Sequence, residues 1–177
     1  MTSRSDQSLR DEALVFYEED IEAIQSILDA FLKKSAAHCA LLVDKDGHMI
    51  TSRGQTDNVD LDTISALVAG SFAATKQLAH QFGEEEFTAL FHQGKGRNLQ
   101  LSLVAERALL TALFGDDTTV GMVRLYATEA AKRLTDIFRK RKADPQGAGH
   151  DDAGLLGDAT GQFMGESSSA LDDMFGE

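Results

Sequence analysis

Cysteine, proline and tryptophan are nearly missing from this sequence: one Cys, one Pro and no Trp in 177 residues. A lone thiol, Cys39, excludes an intramolecular disulfide. It sits in an apolar run and reads as a small buried hydrophobe. The lone proline, Pro145, marks the end of the folded part. No run approaches the ~18 apolar residues of a membrane span, so no membrane insertion is expected. The start, MTSRSDQSLRDEA, has no apolar h-region and no cleavage signal. A cytoplasmic protein is therefore expected. Bases are scarce, with 17 Lys and Arg against 29 Asp and Glu, for a net charge of −12. Nothing supplies the basic surface that a nucleic-acid backbone requires, so no nucleic acid is expected as partner.

Residues 143–177 lack Lys and Arg altogether, yet hold eight acids and seven of the fifteen glycines. The expectation is an acidic, Gly-rich disordered tail, which leaves −4 on the rest of the chain. Leu171, Met174 and Phe175 interrupt it at helical spacing, as candidates for a short docking segment.

Catalytic patterns are also missing. The histidines are scattered, and no Ser, Cys or Thr stands in a nucleophile elbow. Gly94-Lys95-Gly96 lacks the spaced glycines and the Lys-Ser/Thr step of a phosphate loop. Asp44, Asp46 and His48 suggest a metal loop at first sight, but a calcium loop needs Glu where Gln55 stands. Glu84-Glu85-Glu86 reads as a solvated turn. Arg53, Arg97, Arg107 and Arg124 read as ordinary surface arginines. No catalytic residue, metal or cofactor is expected.

What is there is organised around Asp60–Gly83. Asp60 reads as an N-cap and Gly83 as the stop. At about 100° per residue, Leu61, Ile64, Leu67, Val68, Phe72, Leu78, Ala79 and Phe82 share one arc, the expected core face. The opposite arc holds Ala66, Ala69, Gly70, Ala73, Ala74 and Gln77, and no charge occurs from Thr63 to Thr75. An exposed helix face should carry charge. Either a second chain covers this side, or the helix is buried on both sides within one domain.

The remaining elements follow in order. A helix is expected over 14–34, with apolar positions three or four apart and acids leading to Lys33 and Lys34. Ala40–Val43, the turn Asp44–Gly47 and Met49–Arg53 make a hairpin. After the central helix come strands at 87–93, 98–104 and 108–114, then a helix over 119–141. The domains expected are a flexible N-terminus (1–13), a folded unit (14–142) and the tail (143–177). The order α-β-β-α-β-β-β-α gives an α+β (α/β) sandwich with one five-stranded, mostly antiparallel sheet. The central helix is its single crossover.

The pieces LLVDKDGHMITSRGQT (41–56), LAHQFGEEEFTALFHQG (78–94) and TTVGMVRLYATEAAKRLTDIF (118–138), with the small-residue helix around Ala69-Gly70, resemble the roadblock / dynein light-chain superfamily. The likeness is greatest to its bacterial branch of MglB-like GTPase regulators. It implies a fold with the central helix on one sheet face and the terminal helices on the other. It implies a homodimer in which central helices pair and strand 87–93, with Phe87, Ala89 and Phe91, pairs with its mate. It also implies a partner, a small Ras-like GTPase of the MglA kind serving cell polarity or motility. That GTPase would dock on a platform of Ala66, Ala69, Gly70, Ala73 and Ala74, and its hydrolysis would be stimulated without an arginine from this chain. Gln77 lies on the same arc.

Two other functions compete. A small-ligand sensory module of the PAS or GAF kind would use the same hairpin and sheet, but needs a cavity with convergent polar groups. The strands offer mainly Leu, Val, Ala and Phe. A dimeric scaffold without effect on hydrolysis has no distinguishing sequence feature.

Overall fold

The computed structural model describes residues 16–57 and 59–143. The expectations for the N-terminus, and those for the tail with Leu171, Met174 and Phe175, lie outside the described residues.

Helix α1, Glu18–Ser35, begins with three acids and ends with Lys33 and Lys34, which complements its dipole. Asp20 reaches back to accept from the Tyr17 N–H at 3.0 Å. Ala36, in the left-handed region, closes the helix with its N–H on the Leu32 carbonyl. Ile24, Ile27, Leu28 and Phe31 form the buried stripe.

Strands β1 (Cys39–Asp44) and β2 (Met49–Gly54) form the hairpin. Asp44 organises its turn, accepting from the N–H groups of Asp46 at 3.0 Å and His48 at 2.8 Å. Helix α2, Leu61–Gln81, then crosses the sheet to β3 (Ala89–Gln93), β4 (Asn98–Val104) and β5 (Ala108–Phe114). Asp60 caps α2, accepting from the Thr63 N–H at 3.1 Å and its hydroxyl at 2.6 Å. Gly83, at φ 78°, follows the last turn as expected. The edge strand is shorter than the expected 87–93, and Phe87 lies before it.

The sheet order is β2-β1-β5-β4-β3, and all four pairings are antiparallel. The central strands β1 and β5 are buried on both faces, which explains the mostly apolar runs CALLVD and ALLTALF, the second carrying the buried Thr111. On one face Ala40, Leu42, Leu110 and Phe114 pack against α1 and α3 (Val120–Ala143). On the other, Leu41, Val43, Leu101 and Leu109 meet α2 through Leu61, Ile64, Val68 and Phe72. Each fully buried Leu or Phe contributes about 1.5–3 kcal/mol, which is what holds the helices to the sheet.

The setting of α2 differs from the sequence expectation. Ser65, Val68, Ala69, Phe72 and Ala79 are buried. Leu67, Leu78 and Phe82, expected in the core, are 66%, 51% and 72% exposed. The helix is rotated so that small residues meet the hairpin turn. Gly47, at φ 94°, lies so close that a Cβ there would stand 3.0 Å from the Ala66 Cα and 3.6 Å from the Ala69 Cβ. Ser65 tolerates full burial because its hydroxyl donates to the Leu61 carbonyl at 2.7 Å.

Candidate functional site

The outward side of α2 and the free edge of β3 form one surface. Ala66, Gly70, Ala73, Ala74 and Gln77 are all exposed, and Ala69 is buried under the hairpin turn. The side of α2 nearer β3 and β4 carries Leu67 and Ser71, which line an apolar groove of about 480 Å³ together with Ile64, Val68, His92 and Leu99. Leu78 continues that line down the helix, and Phe82 follows its end. The exposed arc is therefore two parallel strips, one of small residues and one of large apolar residues beside the β3 edge.

β3 is hydrogen-bonded only to β4 among the described residues. Its residues divide between the faces. Leu90 packs on the α2 side, while Phe91 turns toward the α1/α3 side and stacks on Phe114 at 6.1 Å between ring centroids; Ala89, on the same face as Phe91, is exposed. Phe87 is half-buried ahead of the strand. Lys45, in the hairpin turn, holds Glu86 with Nζ–O distances of 2.8 and 3.1 Å. That pair ties the α2–β3 connection to the far side of the sheet and positions the edge strand.

The reactive and charged side chains that stand out in the sequence are engaged away from this surface. Cys39 is 3% exposed, and burial pushes its thiol pKa up, away from the reactive thiolate. The Asp44 oxygens are engaged by the turn backbone and, at 3.0 Å, by His48 Nδ1. Arg53 is held by Asp29 through two contacts of 3.0 and 2.8 Å. That guanidinium draws the Asp29 carboxyl below its ordinary pKa. The same effect acts on Glu129, which accepts from Lys34 at 2.6 Å. These pairs fasten α1 to β2 and to α3 and leave α2 uninvolved. What sequence periodicity missed is the exposure of Leu67, Leu78 and Phe82. The available signal was that the uncharged stretch covers more than one arc of the helix.

Comparison with known proteins identifies the architecture. The family model for the Roadblock/LC7 domain matches residues 23–114. Among solved structures, Myxococcus xanthus MglB is 39% identical over 72% of this chain and 96% of that chain, with a TM-score of 0.67. The gliding protein MglB from Thermus thermophilus is 32% identical over 72% of this chain and 97% of that chain, with a TM-score of 0.69. An MglB with a tetrameric arrangement is 32% identical over 72% of this chain and 96% of that chain, at the same TM-score of 0.69. A search of the curated proteins finds no match. The resemblance read from the three sequence pieces thus agrees with both the family match and the structural neighbours, and the chain belongs to the Roadblock/LC7 domain family.

Proposed function

We propose that this protein is a homodimeric regulator of a small Ras-like GTPase and accelerates that partner's GTP hydrolysis. The observation that carries the reading is the uncovered, uncharged outer side of α2 beside the free β3 edge, in a chain 39% identical to an MglB. In this proposal the two strips of α2 have different occupants. Leu67, Ser71 and Leu78, with β3, form the seam between two copies, so that two sheets join edge to edge and neither edge stays open. Ala66, Gly70, Ala73, Ala74 and Gln77 form the platform on which the GTPase lies.

The chain offers no catalytic group there, so its effect on hydrolysis is conformational. It binds best the GTPase conformer whose own residues meet the phosphates, and thereby shifts that population. Helix α2 contains no arginine to take part in this step, and Arg53 is already committed to Asp29. The segment at Leu171, Met174 and Phe175 is proposed as a weak, salt-sensitive second contact with the GTPase, made effective by tethering.

The test is to mix the protein with the Ras-like GTPase encoded nearby and follow phosphate release. Stimulated release supports the proposal. A dimer that binds the GTPase without changing its rate returns the scaffold reading.

A further inference from the structure

The two ends of β3 differ in what surrounds them. Beside its C-terminal end lies the apolar groove of about 480 Å³, with His92, Arg97 and Leu99 on one side and Ile64 and Leu67 of α2 on the other. Lys95 and Arg97 are exposed in the turn that follows the strand. Among the described residues neither has an ion-pair partner.

Before the N-terminal end of β3 stands the end of α2. Phe82 there is the most exposed large apolar residue among the described residues. Its backbone is nonetheless fixed. The Phe82 N–H donates to the Ala79 carbonyl at 2.9 Å, and the Gly83 and Glu84 N–H groups donate to the His80 and Ala79 carbonyls at 3.2 and 3.1 Å. The ring is therefore carried on a held helix end, as a rigid aromatic anchor is. Leu78 flanks it one turn earlier. Glu84 and Glu85 follow, exposed and without an ion-pair partner, whereas Glu86 is taken by Lys45.

A two-fold pairing of β3 edges brings these unlike ends together. Antiparallel strands set the start of one beside the end of the other, and an isologous interface must be complementary to itself. The α2 end of each copy then lies beside the groove of its mate. An apolar groove meets a protruding aromatic there, and two bases meet two acids.

Resting on the reading of α2 and β3 as the seam between two copies, we infer that Phe82 of each copy inserts into the groove of the other, against Leu67 and Leu99, and that Glu84 and Glu85 close on Lys95 and Arg97 of the mate. The groove is incomplete without the second copy. Burial of the ring supplies the grip. Exposed ion pairs contribute little singly and fix which end meets which. Loss of Arg97 alone therefore leaves the dimer formed.

Sedimentation equilibrium of the full chain, combined with crosslinking, tests this. Phe82→Ala, at an exposed position, should weaken the dimer about a hundredfold, roughly tenfold from each of two symmetric contacts, with unchanged far-ultraviolet circular dichroism. Glu84→Lys together with Glu85→Lys should weaken it about tenfold at low salt. Adding Lys95→Glu and Arg97→Glu to the same chain should restore the affinity, because both ends are then reversed together. A Glu85→Cys chain mixed with a Lys95→Cys chain should be joined by a short bis-maleimide. Neither variant should be joined to itself, since the native Cys39 is buried. A dimer untouched by Phe82→Ala, a charge swap that restores nothing, or a Glu85→Cys chain that joins itself and not Lys95→Cys would each overturn this inference and leave the homodimer reading in place. A wild-type chain that is monomeric at micromolar concentration would overturn both.

Discussion

Ala69 and Ala73 stand one helical turn apart on the same small-residue arc, and the structure separates them. Ala69 is 5% exposed beneath Gly47, whereas Ala73 faces outward. Ala69→Arg should therefore lower the melting temperature, because overpacking and a buried charge together cost about 1–3 kcal/mol or more. Ala73→Arg should leave the stability within about 0.5 kcal/mol of wild type and act only on partner binding. Equal melting curves for the two variants would contradict the placement of Ala69. At the same scale, hydrogen bonds from Thr63, first its hydroxyl and then its N–H, hold the Asp60 carboxyl below its ordinary pKa. A depressed folded-state pKa contributes stability that is full above the unfolded pKa of about 4 and is lost as pH falls through the folded value. Asp60→Asn keeps a cap acceptor without the charge. Its acid-unfolding curve should be flatter than wild type below about pH 4, as circular dichroism would show.

The element on which the proposed function rests is α2, and its two exposed strips make separate predictions. Leu67→Lys and Leu78→Lys place charge beside the β3 edge at positions that are already exposed in one copy. Each should convert a dimer to a monomer by light scattering with little change in far-ultraviolet circular dichroism. Ala66→Arg and Gly70→Arg should leave the dimer mass intact and remove GTPase binding. The opposite assignment of strips would reverse those two results. The helix itself was readable from Asp60, its apolar spacing and Gly83. Its rotation was not. Leu67 and Ser65 are close in sequence, and hydropathy favours burying the leucine. The structure buries Ser65 because that rotation brings Ala66 and Ala69 under Gly47 and satisfies the Ser65 hydroxyl within its own helix. The strand at 89–93 was legible in kind, but Phe91 is occupied by Phe114 on the α1/α3 side.

For the whole molecule, light scattering should give twice the chain mass at micromolar concentration, and a monomer mass there would remove the proposed seam. Stimulation of the GTPase should survive Arg→Ala at each of Arg53, Arg97, Arg107 and Arg124. A supplied arginine finger is worth about 10³–10⁵ in rate, so a loss of that size in any one variant would rule out the conformational mechanism. Within the core, Leu110→Ala should cost about 2–5 kcal/mol, since Leu110 is fully buried in a central strand.

By itself the sequence determined the element order and the α+β class, because these rest on local periodicity, caps and turns such as Asp60, Asp44–Gly47 and the CALLVD and ALLTALF strands; the family was legible only as the resemblance of the pieces at 41–56, 78–94 and 118–138. It also determined that α2 has too much uncharged surface for a solvated helix. Only the tertiary structure decided which part of that surface is free. The rotation of a helix on a sheet is set by shape at the contact, here a glycine turn against two alanines and a serine that can be buried. Such complementarity joins residues that are distant along the chain and leaves no mark in local hydropathy.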